Sequence, residues 1–353
     1  MRRVQRLRLS KMKCFIKKLY FTVFIFAVII LAGCAGSGSK SKAIDVFSGT
    51  EGIAAEFAKT APPQSVFESS NFPIFIKLKN IGAYNIPESK KGVLSIGIEK
   101  DYVKSLKFEP SSSLSDIKDN QASFYLRGKE QINPKGEDLV VPITAATGRL
   151  DPQSERREST LTATLCYPYK TVLSTTVCID TDTAGIRPGK KVCEVKDMTF
   201  SNGQGAPVAV TRIEPQMVPD GELIKPQFLI FVENSGRGNP VDSANYNSIC
   251  GSQDAEKGLW NVAHLSAFAA GDIQMICCPN DSLGGQCTET ETSPDKMKGF
   301  VRFRDRKDFV RCTFRNGIKK TDDTFTSPLR IEIDYGYVQT IAANFVIQRP
   351  VKY

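Results

Sequence analysis

The residue types that most often carry enzyme chemistry are sparse in this chain. Its 353 residues include a single histidine, His264, so catalysis by paired histidines and multi-histidine metal sites are poor fits. The alternating run Val262–Phe268 around it predicts a histidine on the polar face of a strand. No Gly-x-Ser-x-Gly elbow, His-Glu-x-x-His pair, Ser-x-x-Lys nucleophile or phosphate-cradling Gly-x-Gly-x-x-Gly loop occurs in a usable context. The sequence therefore predicts no catalytic residue and no cofactor.

Acidic residues are the remaining candidates for chemistry. The chain holds 38 of them, and a glycosidase needs only two carboxylates that face one cleft. An envelope hydrolase that uses acidic residues on a sheet face is therefore kept as the alternative function. Asp180-Thr-Asp182 also offers oxygen ligands for a calcium ion. Because Asp-rich linkers between domains are usually solvated, we expect no metal there.

The excess positive charge belongs to the N-terminus. The formal net charge is +9, yet residues 1–33 contain eight lysines and arginines and no acidic residue. Removing these eight from the 47 basic residues leaves 39 against 38 acidic residues. The apolar run Leu19–Ala32 has 14 residues, fewer than the roughly 20 of a membrane-spanning helix. A basic start followed by such a run is typical of a signal peptide, which predicts export and excludes nucleic acid as a partner.

The end of the apolar run carries a second targeting signal. Leu31-Ala-Gly-Cys34 resembles the lipobox of prokaryotic lipoproteins. The resemblance implies a signal peptide at 1–33 and a lipid on Cys34, so that the protein is extracytoplasmic and anchored to the membrane. An uncleaved anchor helix and ordinary secretion are the alternatives, and both also place the body outside the cytoplasm. The Gly/Ser-rich residues at 34–43 predict a flexible tether.

From residue 44 onward the sequence is typical of β-structure. Short alternating runs such as Phe75–Lys79 are separated by Gly, Pro, Asn and Ser, which predicts half-buried antiparallel strands. Four segments recur in the same order, and the clearest is Ser159–Tyr169, which aligns without a gap on Ser327–Tyr337. We therefore predict an all-β fold of two tandem antiparallel β-sandwich domains, at 44–190 and 191–353.

One repeated element resembles a known family. Phe75–Gly82 and Leu229–Gly236 each run from a strand into Asn-x-Gly. This element is similar to the prokaryotic immunoglobulin-like modules of the cell-adhesion-related (CARDB-like) kind, and the resemblance covers only the opening part of each repeat. It implies that both sandwiches are immunoglobulin-like.

A repeated tyrosine pair lies near the end of each unit, Tyr167-x-Tyr169 in the first and Tyr335-x-Tyr337 in the second. We expect each pair where a strand enters its last hairpin. An immunoglobulin-type tyrosine corner, with one phenol bonded to a loop backbone, fits this position. Tyrosines that cover a sheet edge fit it equally well.

The cysteines predict structural bridges. Of ten cysteines, Cys14 lies in the signal peptide and Cys34 is assigned to lipid, which leaves an even number in an exported chain. A hairpin that turns at Val172 would place Cys166 opposite Cys178, at a distance that a disulfide can span. The full predicted set of bridges is Cys166–Cys178, Cys277–Cys312, Cys278–Cys287 and Cys193–Cys250.

A zinc site is the chemical alternative for four of these cysteines. Adjacent cysteines do not easily share one tetrahedron, and an oxidising compartment favours disulfides. We therefore expect no metal at Cys277, Cys278, Cys287 and Cys312.

The function predicted from the sequence is a non-catalytic binding, adhesion or scaffolding role of a lipid-anchored protein at the cell envelope. The predicted partners are the membrane, through the lipid, and an envelope protein or polysaccharide. A transporter's solute-binding lipoprotein fits less well, because the repeated strand–helix units of that class are absent from the pattern. The second repeat carries an insertion at Asn239–Trp260, which is either a specificity loop or a surface excursion.

Overall fold

The computed structural model describes residues 45–111, 113–251, 257–269, 273–279 and 299–350. One helical turn, α1 (Tyr246–Ile249), and one 3-10 turn (Lys257–Leu259) occur in these ranges, and no helix within them is long and apolar enough to cross a membrane. The rest of the regular structure is β, which confirms the all-β prediction. The described strands are β1 (Ile53–Phe57), β2 (Ser65–Phe67), β3 (Asn71–Asn80), β4 (Gly92–Gly97), β5 (Val103–Phe108), β6 (Leu114–Lys118), β7 (Gln121–Phe124), β8 (Asp138–Thr147), β9 (Arg156–Ile179), β10 (Met198–Thr199), β11 (Val208–Asp220), β12 (Leu223–Asn234), β13 (Asn239–Val241), β14 (Val262–Ala269), β15 (Ile273–Gln274), β16 (Ile276–Pro279), β17 (Gly299–Arg302), β18 (Lys307–Thr313), β19 (Ile318–Lys319) and β20 (Phe325–Gln348).

These strands form two outer sheets and one long central sheet. The first outer sheet has the order β1-β3-β8-β5, and the second has the order β10-β11-β12-β18-β16. The central sheet runs β15-β14-β20-β9-β4-β7-β6. Each repeat thus supplies one outer sheet and one half of the central sheet, which gives two antiparallel β-sandwiches.

The centre of the fold is the pairing of β9 with β20. Each strand has 24 residues, and the two pair antiparallel along their whole length. Pro168 lies opposite Gly336 at the midpoint, and these are equivalent residues of the aligned repeats. The ladder therefore relates the repeats by an approximate twofold axis and joins 44–353 into one compact unit. The boundary between 190 and 191 marks the sequence duplication and stays a prediction as a domain boundary.

The core follows the predicted alternation. In β3 and β12 every second side chain is buried, as period-2 strands with one polar face require. The inward-facing residues of all three sheets pack into one apolar cluster, which includes Leu78, Phe124, Leu165, Phe228 and Ile331. Burial of such side chains contributes about 1.5–3 kcal/mol each, so packing of the two outer sheets stabilises the central sheet that they share.

The repeated Asn-x-Gly and tyrosine motifs meet in the core. The Tyr169 hydroxyl donates to Oδ1 of Asn80 at 3.3 Å. A Cβ at Gly82 would collide with that hydroxyl, so only glycine permits the contact. The two tyrosine pairs lie in mid-strand, not at a hairpin, which corrects the predicted position of a tyrosine corner.

The second repeat builds the same contacts. The Tyr337 hydroxyl donates to Oδ1 of Asn234 at 3.2 Å. Equivalent backbone groups also match, since Ile53 N donates to the Tyr167 hydroxyl at 3.2 Å and Val208 N to the Tyr335 hydroxyl at 3.3 Å. The motif that suggested a family is therefore a buried structural device in both halves.

The predicted Cys166–Cys178 bridge is wrong. β9 runs straight through Val172, because Lys170–Ser174 contains no glycine, proline or asparagine to favour a turn. Cys166 and Cys178 consequently lie on one strand, about 40 Å apart at roughly 3.3 Å per residue.

Two of the described disulfides instead tie other segments to β9, and a third joins β16 to β18. Three bridges have both cysteines among the described residues. They are Cys166–Cys250, Cys178–Cys193 and Cys277–Cys312, with Cα separations of 5.6, 5.8 and 4.0 Å. The predicted Cys277–Cys312 bridge is confirmed, across the β16–β18 pair, and it uses two of the thiols of the zinc alternative. The predicted Cys193–Cys250 bridge is wrong, since each partner binds a cysteine of β9. Cys278 is disulfide-bonded, and its predicted partner Cys287 lies outside the described residues.

The insertion at Asn239–Trp260 packs against the central sheet. Its residues Val241, Tyr246, Ile249 and Cys250 form a small buried cluster with Cys166 and Val338. Cys166 faces this outer side because its neighbours Leu165 and Tyr167 belong to the core. The described part of the insertion is therefore a fixed excursion of the surface.

Candidate functional site

A groove lies beside the edge strand β1. β1 is the outermost strand of its sheet, and β3 is the one described strand that pairs with it. The groove separates β1 from the C-terminal half of β20 and has a volume of about 580 Å³, within the usual range of ligand pockets. We call it the strand groove and define it by the lining residues Ile53, Ala55, Tyr337, Gln339 and Ile341.

The local sequence explains the lining of the strand groove. In β1 the odd-numbered residues face the core, so Ile53 is buried, while Ala55 and Phe57 are half-buried. Gln339 extends from β20 and donates from Nε2 to the Ile53 carbonyl at 2.8 Å. This bond lies at the Ile53 end of the groove. No described residue covers the rest of the β1 edge.

The rim of the strand groove carries both signs of charge. Lys77 Nζ lies 3.6 Å from Glu56 Oε1, and Arg237 Nε lies 3.3 Å from Glu51 Oε1. Such solvent-exposed pairs contribute little to stability, about 0–1 kcal/mol, and they open readily for a ligand. At the floor, burial raises the pKa of Tyr337 to about 12, so its phenol stays protonated and keeps its bond to Asn234. The groove thus offers apolar surface, backbone groups and adaptable charges.

A second, polar pocket contains the single histidine. His264 Nε2 lies 3.2 Å from Asp242 Oδ2, and Lys170 Nζ lies 3.2 Å from Asp334 Oδ1 and 3.1 Å from Glu332 Oε2. His264 lies opposite Asp334 on the β14–β20 ladder and is partly exposed, on the polar side of its strand. The pocket measures about 460 Å³.

The charged groups of this pocket act on one another. Burial opposes the charged form of Asp242, but the bonds from His264, the Ala244 N–H and Asn245 outweigh it and lower the pKa of this carboxyl. Burial likewise opposes the charge on Lys170, and the carboxylates of Asp334 and Glu332 outweigh it and raise its pKa. These pairs connect the insertion with β14, and β20 with β9. Their carboxylates are engaged as structural acceptors.

The Asp180-Thr-Asp182 segment is likewise held by donors. Asp180 Oδ2 lies 2.6 Å from Lys191 Nζ, and the Asp182 carboxylate accepts the N–H groups of Ile186 and Arg187 at 2.9 and 3.1 Å. These backbone bonds lower the pKa of Asp182. No group of three or more His, Cys, Asp or Glu side chains suited to a metal occurs in the described ranges.

The predicted site residues and the strand groove do not coincide. Cys34 lies outside the described residues, and the cysteines of the described bridges are structural. The strand groove was not predicted, because its two walls come from residues almost 300 positions apart in the sequence. The signal available in the sequence was the short, weakly apolar Ile-Ala-Ala-Glu-Phe run of β1, which suits an edge strand.

The sequence matches no protein-family model and no curated protein. Among solved structures, the chain is similar to the C-terminal domain of the Streptococcus agalactiae AgI/II polypeptide BspA, at 9% identity, with 84% of this chain and 99% of that chain covered and a TM-score of 0.18. It is also similar to a partial N-terminal region of an enterococcal surface protein, at 5% identity, with 87% and 96% covered and a TM-score of 0.19. At TM-scores this low, no statement about function follows from the likeness.

Proposed function

We propose that this chain is a lipid-anchored, extracytoplasmic protein with a non-catalytic binding, adhesion or scaffolding role at the cell envelope. The lipid is carried by Cys34, and the flexible segment at 34–43 spaces the folded body from the membrane. The partner is a protein or polysaccharide of the envelope. The strand groove is the surface that meets it.

The disulfides support export. Bridges such as Cys166–Cys250 and Cys178–Cys193 form and persist in oxidising compartments outside the cytoplasm. This agrees with the signal peptide predicted at 1–33, and it is independent of that prediction because the bridges lie in the folded body.

The observation that carries the binding role is the edge of β1, which no described residue covers beyond Ile53. Native sheets usually pair, cover or charge their edges, and an uncovered edge beside an apolar groove is a template for a partner. The half-buried Ala55 and Phe57 and the volume of about 580 Å³ provide contact area that the described residues leave unused. Loops and edges of sandwiches are the parts that meet partners in this architecture.

The hydrolase alternative places chemistry on acidic residues. In the polar pocket, Asp242 accepts from His264, and Asp334 pairs with Lys170, so these carboxylates are engaged in structural contacts. A turnover assay with envelope glycans and peptides provides the test. Hydrolysis that disappears in Asp242→Asn or Asp334→Asn protein would replace the binding role by the hydrolase.

Site-specific cross-linking in intact cells tests the binding role. A photoreactive residue placed at Thr340, which lines the strand groove, is expected to capture a discrete envelope component. The matched control carries the same residue at Ile186, an 81% exposed position in the turn after β9. Capture that is equal at both positions, or absent at Thr340, contradicts a binding role for the groove.

The anchor has its own test. With its signal peptide intact, Cys34→Ser protein is expected to leave the membrane fraction and to lose labelling by a lipid probe. A cleaved Cys34→Ser protein that remains on the membrane contradicts the lipid assignment and leaves the groove proposal untouched.

A further inference from the structure

The edge of β1, which the described part of the chain leaves open, presents backbone groups in a defined order. Ile53 directs its N–H to the Tyr167 hydroxyl and its C=O to Gln339, so both groups point away from β3. Antiparallel strands alternate residues that bond the neighbour with residues that face outward. Ala55 therefore also presents its N–H and C=O groups to the strand groove, and the groups of Phe57 point outward along the same edge beyond it.

The second repeat shows what occupies the equivalent position. Val208, Val210 and Ile213 pair with β12 as Ile53, Ala55 and Phe57 pair with β3. Their anchoring contacts correspond too: the Val208 carbonyl accepts from Thr171 at 2.6 Å, as the Ile53 carbonyl accepts from Gln339. The two edges are thus built on one plan.

In the second repeat that edge is covered by the chain itself. β10 pairs antiparallel with β11, Met198 opposite Ile213, and Phe200 N donates to the Thr211 carbonyl at 2.8 Å. The Gln204 side-chain amide bonds the N–H of Val210 at 2.8 Å and its C=O at 3.2 Å. Met198 and Phe200 pack against the core. As a result, Ile213 is 0% exposed, whereas its equivalent Phe57 is only half-buried.

The first repeat directs its matching segment elsewhere. Phe47-Ser-Gly49 precedes β1 as Phe200-Ser-Asn-Gly203 precedes β11. Phe47 is 53% exposed and lines a pocket together with Leu173 of β9 and Phe200 of the second repeat. Among the described residues, none therefore plays the part of β10 at the β1 edge.

We infer that the strand groove binds an extended segment of a partner protein by strand addition. The segment lies antiparallel to β1, bonds the outward groups of Ala55 and Phe57, and inserts two apolar side chains spaced i and i+2. Met198-Thr-Phe200 of this chain is the template for that pattern, and main-chain bonds plus alternate side-chain pockets are the usual basis of strand addition. This inference rests on the proposed function and names its partner class.

A peptide with the sequence Val195–Gly203 is the probe, titrated by fluorescence anisotropy against the protein purified from membranes in detergent. Saturable binding with one peptide per chain is expected. A second peptide with aspartate in place of the residues corresponding to Met198 and Phe200 is expected to bind at least about tenfold more weakly, because it would bury unpaired charges. Equal binding of the two peptides overturns the inference.

Two protein variants localise the contact. Ala55→Pro removes an outward N–H and leaves the β3 pairing intact, as edge strands tolerate, so the peptide is expected to bind about 2- to 10-fold more weakly. Ile341→Lys places a charge in the groove and is expected to weaken binding at least about tenfold. Its matched control, Ile186→Lys at an exposed site, keeps the parent affinity. The melting temperature of each variant is measured alongside, and Ala55→Pro decides if Ile341→Lys does not fold.

Amide hydrogen exchange shows where on the protein the peptide binds. The amides of Ala55 and Phe57 are expected to exchange more slowly with peptide bound. Protection confined to β11 overturns the inference, because the peptide would then have replaced β10. Binding that appears only after deletion of residues 35–44 also overturns the inference, because that segment of the same chain would then occupy the groove. A dimer that excludes the peptide overturns it too, because a second copy of the chain would then be the occupant. If the peptide does not bind while cross-linking at Thr340 persists, the strand inference fails and the proposed function stands.

Discussion

The buried Asn80 amide offers a direct test of how the repeated motif holds the sandwiches together. Asn80 is 0% exposed, and its Nδ2 donates to the carbonyls of Tyr84 at 2.8 Å and Leu126 at 3.1 Å. Its Oδ1 accepts from Gly82 N at 3.2 Å and from the Tyr169 hydroxyl at 3.3 Å. The side chain therefore uses both of its donors and both acceptor positions, so no smaller residue can replace it.

Asn80→Ala removes all four bonds. Gly82 N and the Tyr84 carbonyl lose the partner that the amide provides, whereas the Leu126 carbonyl keeps the Ile86 N–H at 2.9 Å. Each buried group left unpaired costs about 1–3 kcal/mol, so the loss is about 2–6 kcal/mol. That is a large part of the 5–15 kcal/mol typical of a folded protein.

Asn234→Ala is the matched control in the second repeat. Asn234 donates to the Gly238 carbonyl at 2.9 Å and accepts from Tyr337, and the Gly238 N–H still donates to the Tyr337 hydroxyl at 2.8 Å after the change. The Gly238 carbonyl and the proton of the buried Tyr337 hydroxyl are then both left unpaired, for a loss of about 2–6 kcal/mol. Asn80→Ala and Asn234→Ala are therefore expected to destabilise the protein by similar amounts, because each leaves two buried groups unpaired and the Tyr169 hydroxyl keeps the Gly205 carbonyl as an acceptor at 3.4 Å.

Urea denaturation followed by far-ultraviolet circular dichroism measures both losses. Asn80→Asp adds a pH test, since one carboxylate oxygen would face the carbonyls of Tyr84 and Leu126. Burial and these acceptors raise the pKa of that carboxyl above about 3.9, so its destabilisation is present at neutral pH and diminishes as the pH falls through the raised pKa. A loss below about 1 kcal/mol for Asn80→Ala or for Asn234→Ala would refute the reasoning.

Two further predictions concern the bridges and the buried phenols. Replacing Cys166 and Cys250 by alanine is expected to lower the free energy of unfolding by about 4.5 kcal/mol, because the closed loop spans 84 residues. Replacing Cys178 and Cys193, which close a loop of 15 residues, is expected to lower it by about 3 kcal/mol. Urea denaturation that ranks the two pairs in the opposite order contradicts the loop-entropy argument. Tyr337 has its pKa raised to about 12 by burial, above about 10 in the unfolded chain, so the stability it contributes is complete below pH 10 and is lost as the pH rises through about 12. Ultraviolet difference spectroscopy should show ionisation of this phenol together with unfolding, and ionisation near pH 10 in folded protein would contradict its burial.

The sequence predicted those features that depend on local pattern. Period-2 alternation in segments such as Phe75–Lys79 predicted strands, because alternate side chains of a strand face opposite sides whatever the strand pairs with. The ungapped match of Ser159–Tyr169 with Ser327–Tyr337 predicted the duplication, and its offset matches the midpoint at Pro168 and Gly336. Cys277–Cys312 was predicted because both cysteines align with core positions.

Features that depend on partners distant in the chain were not predictable in the same way. A hairpin and a continuous strand give the same alternation, so Val172 was placed in a turn and Cys166 was paired with the wrong cysteine. Only the tertiary structure shows that β9 continues along β20, which turns Cys166 toward the insertion and Cys178 toward Cys193.

The same distinction between local sequence pattern and tertiary structure applies to the binding surface. The sequence by itself determined a duplicated β protein with structural cysteines and predicted its export, because charge, hydropathy and alternation are properties of short segments. The tertiary structure decided that one repeat covers its edge strand with Met198–Phe200 and that the described part of the other leaves β1 beside an open groove. The physical reason is that edge pairing depends on the path of a neighbouring segment through space, and the segments before β1 and β11 follow different paths in the two halves.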